Sequence, residues 1–211
     1  MARPKAFDVD QALERAMELF WLKGYHATSL PDLVEHMGIG RQSLYDTYGG
    51  KRQLFLQALD RYSTVMIGGA LCRLEQSGAS IDDLTAFLEA VVAYQTGKRL
   101  RTACLMINSA MELAVRDREV ARRVAAHHRR MEGAFRRALE RAESLEEIHP
   151  LLPTDVVARH MVATVLGMIV AAKSGAEPAV LRDMASGVLA LAGAPTKNRL
   201  TSFNFGSYDP K

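Results

Sequence analysis

Apolar residues in the first part of the chain recur at helical rather than strand spacing. Ala12, Ala16, Leu19, Phe20 and Trp21 form the first such stripe. Asp8 precedes it with Gln11 three residues on, a capping-box-like start, and Gly24 offers a left-handed stop. Ser29 and Asp32 repeat the start signal, and Pro31 falls in a first turn, where its missing N–H costs nothing. A short helix through Leu33, Val34 and Met37 should therefore follow and end at Gly38-Ile39-Gly40. A third helix is expected from Arg41 to Thr47, then Tyr48-Gly49-Gly50, then a long fourth helix from Lys51.

After a loop at Ser77–Ser80, the same periodicity predicts helices over 81–96, 103–115, 117–141, 154–173 and 177–192. Gly97-Lys98-Arg99, Pro150 with Pro153, and Gly175 with Pro178 mark breaks between them. No strand-like alternation interrupts the series. The residues from Pro195 onward carry Phe203, Phe205 and Tyr208 in a polar tail.

Composition agrees with an all-α chain. Hydrophobic residues make up 48% and aromatics 7% of 211 residues, which gives enough apolar material for a core from helix-forming types. The net charge of +3 permits a polyanionic partner without demanding one, because acidic residues match the cations of the first sixty positions. Cys72 and Cys104 are too few for a disulfide scaffold and suit a reducing cytosol. No apolar leader follows the N-terminus, and the most apolar run, 161–172, is short for a membrane span. A cytoplasmic protein without membrane contact is expected. No Ser-His-Asp order, phosphate loop, zinc spacing or helical carboxylate pair is present, so neither catalysis, a metal nor a cofactor is expected.

The second and third helices carry the functional signal. In a helix-turn-helix, a short helix braces a second one that enters the major groove, and a tight turn fixes their angle. Leu30, Leu33, Val34 and Met37 supply one inner face, Gly38 the turn, Ile39 the plug, and Leu44 the other inner face. Arg41, Gln42, Ser43, Tyr45, Asp46 and Thr47 remain outside. These types suit base edges and phosphates: Arg41 for guanine, Gln42 for adenine, Tyr45 for a thymine methyl or a phosphate.

With Ala16, Leu19, Phe20, Gly24, Tyr25, Thr28, Ser29, Leu33, Gly38, Ile39, Leu44, Tyr45, Tyr48, Lys51, Leu54 and Phe55 at these spacings, the stretch from Phe7 to Tyr62 resembles the DNA-binding domain of the TetR family. The resemblance implies that Thr28 and Lys51 touch phosphates and that Tyr45 and Tyr48 help grip the DNA backbone. It further implies a three-helix helix-turn-helix domain (1–62), a larger helical effector-binding and dimerisation domain (63–193) and a tail (194–211). Two departures stand out. Gly40 replaces a frequent Ser, leaving the recognition helix without a side-chain cap, and Asp46 with Gly49-Gly50 replaces aromatic or basic residues. An acidic side chain in the groove suits cytosine N4 and repels phosphate.

A repressor that binds double-stranded DNA as a homodimer is the expected function, with a non-sequence-specific DNA binder or an activator of the same fold as alternatives. The last two helices, with small apolar faces, are the expected dimer contact. Phe87, Tyr94, Met106, Met111, Met131, Phe135 and Met168 form an adaptable apolar set suited to a small hydrophobic effector, although the same residues would also build an ordinary core. Cys104 is added to that set. It lies near a helix start and near Lys98, Arg99 and Arg101, where a lowered thiol pKa would make it reactive towards oxidants or electrophiles. The pairs Arg122-Arg123, Arg129-Arg130 and Arg136-Arg137, seven residues apart, share one helix face, usually a solvated one.

Overall fold

The computed structural model describes residues 7–97 and 104–194. Every regular element among them is helical, as the periodicity requires: α1 (Val9–Lys23), α2 (Leu30–Met37), α3 (Arg41–Tyr48), α4 (Lys51–Tyr62), α5 (Gly68–Leu71), α6 (Ile81–Thr96), α7 (Leu105–Leu113), α8 (Arg118–Ser144), α9 (Thr154–Lys173) and α10 (Pro178–Leu191). The fourth helix is shorter than its pattern suggests. At Tyr62 it passes into a π-helical turn, Ser63–Ile67, where the hydrogen-bond register widens before α5 begins. The tail from 195 and the cations Lys98, Arg99 and Arg101 lie outside the described residues.

The chain divides into two compact units. The first combines 7–65 with Cys104–Val124, so the α7 segment belongs with the N-terminal helices. Its core is aromatic. Phe20 of α1 and Phe55 of α4, both fully enclosed, meet edge-on with centroids 4.9 Å apart, and Trp21 meets Tyr62 in the same way at 5.2 Å. Burying a ring of this size contributes about 2–3 kcal/mol. Leu33, Met37 and Leu44 close the core from α2 and α3.

The second unit combines residues 66–97 and 125–194. In it α6, α9 and α10 pack on one another, and Phe87 of α6 stacks edge-on against Phe135 of α8 at 5.2 Å. Leu84, Leu88, Met131, Leu139, Met161, Met168 and Leu181 complete an apolar interior. By length and composition α9 is long and apolar enough to cross a membrane, which its sequence pattern understates. It nevertheless carries Arg159, paired with Asp155 and Glu132.

Candidate nucleic-acid interface

The turn between α1 and α2 sets the position of everything that follows. Gly24 ends α1 with φ +82°, a left-handed value that favours glycine, while its N–H donates to the Phe20 carbonyl. Four residues on, the Thr28 hydroxyl donates to the Gly24 carbonyl at 2.6 Å. Ser29 then caps α2 reciprocally. The Asp32 N–H donates to Ser29 Oγ (3.2 Å), and the Ser29 N–H donates to Asp32 Oδ2 (2.7 Å). The Ser29 hydroxyl and N–H, with the Lys23 ammonium, hold the Asp32 carboxyl down at a pKa of about 2.

Gly38 supplies the helix-turn-helix corner in the left-handed region (φ 68°, ψ 33°), its N–H shared between the Val34 and Glu35 carbonyls. Buried Ile39 plugs the corner and Leu44 anchors α3 from beneath. As the sequence implies, Gly40 leaves α3 without a side-chain cap. On its open face Arg41, Gln42, Tyr45 and Asp46 are exposed, whereas Ser43 is half-buried. These groups already engage one another. Gln42 Nε2 donates to Asp46 Oδ1 at 2.8 Å, and the Arg41 guanidinium lies 6.0 Å from the centre of the Tyr45 ring.

Gly49 (φ +78°) and Gly50 (φ +108°) turn the chain into α4 through backbone space that side chains disfavour. Lys51 therefore opens α4 with its ammonium 4.3 Å from the centre of the Tyr25 ring. Partial burial lowers its pKa, and the Glu112 and Asp32 carboxylates oppose that shift.

Two residues named from the resemblance have different settings from those expected. Thr28 is buried, with its hydroxyl committed to Gly24. Tyr48 is buried too, and its hydroxyl donates to the Val9 carbonyl at 2.7 Å, tying α3 to the start of α1. Desolvation pushes the Tyr48 phenol up to about 12. Both side chains brace the module from within.

The apolar set proposed for an effector is split. Phe87, Met131, Phe135 and Met168 are buried in the second unit, with Tyr94 half-buried, whereas Cys104, Met106 and Met111 belong to the first. Met106 is buried, but Met111 is 85% exposed, because the end of α7 turns that side chain to solvent. Cys104 precedes α7 as its N-cap. Its expected lowered pKa is corrected: burial pushes the thiol up, outweighing hydrogen bonds from the Tyr62 side chain and the Met106 and Ile107 backbone.

Sequence reasoning also passed over the residues that tie the turn in place. Tyr25 and His26 donate their N–H groups to Glu112 of α7, and Arg52 binds Asp117 through two hydrogen bonds of 2.8 and 2.9 Å. Arg123 reaches Asp60 at 2.9 Å. These partners lie more than sixty positions apart, beyond any local pattern.

Residues 12–58 match the bacterial regulatory proteins of the tetR family, and residues 80–188 match the tetracyclin repressor-like C-terminal domain. An uncharacterized HTH-type transcriptional regulator of Bacillus subtilis, YezE, is 40% identical over 87% of this chain and 95% of its own. The chain belongs to the TetR family. The HTH-type transcriptional repressor ComR of Escherichia coli is 32% identical over 90% of each chain. Among solved TetR structures, a cysteine mutant of the regulator CifR complexed with 26-bp double-strand operator DNA superimposes with a TM-score of 0.77. The two are 27% identical, over 89% of this chain and 98% of that one. The TetR-family chain is thus a helix-turn-helix transcription regulator whose N-terminal module contains the corner and α3 described above.

Proposed function

We infer that this TetR-family regulator is a sequence-specific repressor that binds double-stranded operator DNA as a homodimer and leaves it when a small molecule binds. The observation that carries the reading is the open polar face of α3 on an apolar anchor, beside Lys51 at the start of α4. Arg41, Gln42, Ser43, Tyr45 and Asp46 are the groove-facing residues, and Lys51 with the free N–H groups of the first α4 turn takes a phosphate. Thr28 and Tyr48 serve the interface by holding α2 and α3 in place. Similarity to the repressor ComR and to operator-bound CifR supports this assignment.

The dimer forms through α9 and α10, where Val170 and Val180 are exposed among small residues. The effector enters the apolar second unit around Phe87, Met131, Phe135 and Met168. The protein acts in the cytoplasm by binding, without catalysis, metal or cofactor.

Selection from a randomised duplex pool, followed by footprinting, tests the reading. The expected product is a palindrome whose half-sites lie about one helical turn, or a multiple of it, apart. Lys51→Ala should weaken binding evenly across sequences and flatten the salt dependence by about one unit, whereas Tyr45→Ala should cost more on the selected site than on random DNA. Equal affinity for every duplex with a steep salt slope would leave only non-specific binding.

A further inference from the structure

The α1–α2 turn is held by a residue remote in sequence. Glu112 reaches from α7 and divides its carboxylate between consecutive amides: the Tyr25 N–H donates to Oε2 at 2.9 Å and the His26 N–H to Oε1 at 2.6 Å. The approach depends on Gly24, because a Cβ there would lie 3.1 Å from Oε2. All these residues belong to the first compact unit.

A carboxylate at this place is unfavourable on general grounds. The C-terminal end of α1 carries the negative end of the helix dipole, which repels an anion. The two converging N–H groups, each making a charge-assisted bond, and the nearby Lys51 ammonium offset that repulsion. Glu112 therefore holds one specific turn geometry.

That geometry reaches the DNA-facing edge by short steps. Tyr25, pinned through its amide, packs its ring against Phe55 at 4.8 Å and presents the ring face to the Lys51 ammonium. The Thr28 N–H donates to the Tyr25 carbonyl and the Thr28 hydroxyl to the Gly24 carbonyl, which positions the Ser29 cap of α2. A second tie lies close by. Asp117 caps the start of α8, accepting from the Glu119 and Val120 N–H groups, while the same carboxylate holds Arg52, the residue after Lys51.

We propose that Glu112 is a positioning residue for DNA binding: by closing on the Tyr25 and His26 amides it makes the phosphate-gripping edge of the helix-turn-helix conditional on the place of α7. The proposal rests on the reading that this edge meets DNA. A shift of α7 withdraws both acceptors together, and the turn, Tyr25 and Lys51 lose their common anchor.

The test uses full-length protein, the selected operator duplex and a random-sequence duplex, with fluorescence anisotropy measured across a salt series. Glu112→Ala should bind the operator about tenfold more weakly, the scale of one lost charge-assisted contact, with the salt slope reduced by about one as Lys51 disengages. Amide exchange at Tyr25 and His26 should quicken in the free variant. Glu112→Gln, which keeps one carbonyl acceptor, should fall between, and it decides the matter if the alanine variant does not fold. Three results would overturn the proposal: unchanged affinity and slope, a loss that only tracks the unfolded fraction seen by circular dichroism, or tighter binding by Glu112→Gln. The last would make the carboxylate a repeller of phosphate. Wild-type protein that does not prefer the operator to random duplex would instead remove the DNA-binding reading, and the exchange rates at Tyr25 and His26 would still report the clamp.

Discussion

Acidification should weaken this protein over two pH windows, and the first belongs to His127. Its side chain lies in the second unit with 2% of the residue exposed, and burial, followed by the charges of His128 and Arg130, pushes its pKa down to about 4. An unfolded histidine titrates near 6.5, so between these values the unfolded chain binds a proton that the folded chain refuses. Stability is therefore complete above the unfolded pKa and is lost as pH falls towards the folded one. The loss attributable to His127 is about 2.5 kcal/mol by about pH 4.5, and about 3 kcal/mol at its limit. His128, also lowered by burial, adds to the same window. The carboxylates of Asp32, Asp117 and Glu75, all lowered, withdraw their support mainly below it. Urea unfolding at several pH values between about 7.5 and 4.5, at fixed protein concentration, measures the effect in wild type and His127→Leu. Wild type should lose about 2.5 kcal/mol more than His127→Leu between about pH 7.5 and 4.5, so the difference between the two curves should change across this window. Parallel curves would refute the reasoning, because the imidazole would then titrate alike in both states.

Two further predictions concern single positions. Gly193 has φ +69°, and a Cβ there would lie 2.1 Å from the His149 carbonyl oxygen, so Gly193→Ala should cost about 2–4 kcal/mol in thermal unfolding. A Tm within the error of wild type would show that the 149–151 segment yields. The raised pKa of half-buried Cys104 predicts that iodoacetamide labels exposed Cys72 first in the native protein, read by peptide mass mapping; faster labelling at Cys104 would contradict that raised pKa.

Local chemistry made the helices legible. The Ser29-Asp32 box, the glycine corner and the start of α4 at Lys51 are written in neighbouring residues, and each occurs where its residues require. The π turn at Ser63–Ile67 has no such signature, since nothing in its composition breaks a helix. Periodicity gave a helix for Met111 but could not say which face another helix would cover, and solvent took that face. The arginine pairs of α8 show the same limit. Arg122, Arg129, Arg136 and Arg137 are solvated as expected, yet Arg123 and Arg130 turn inward far enough to bind Asp60 and Glu75. The resemblance implies that Tyr48 and Thr28 touch the DNA backbone, but the placement of their hydroxyls depends on Val9 and Gly24, which no spacing rule connects to them.

The hydrogen bond from Gln42 to Asp46 has a consequence for fidelity. If α3 enters the groove as proposed, Gln42 and Asp46 arrive there already hydrogen-bonded to each other. A base pair is worth contacting only if it returns more than the exchange removes. On the proposed reading, a site that engages one of these residues and strands the other gives back the pair's worth, about 0.2–0.5 kcal/mol for an exposed pair one turn apart.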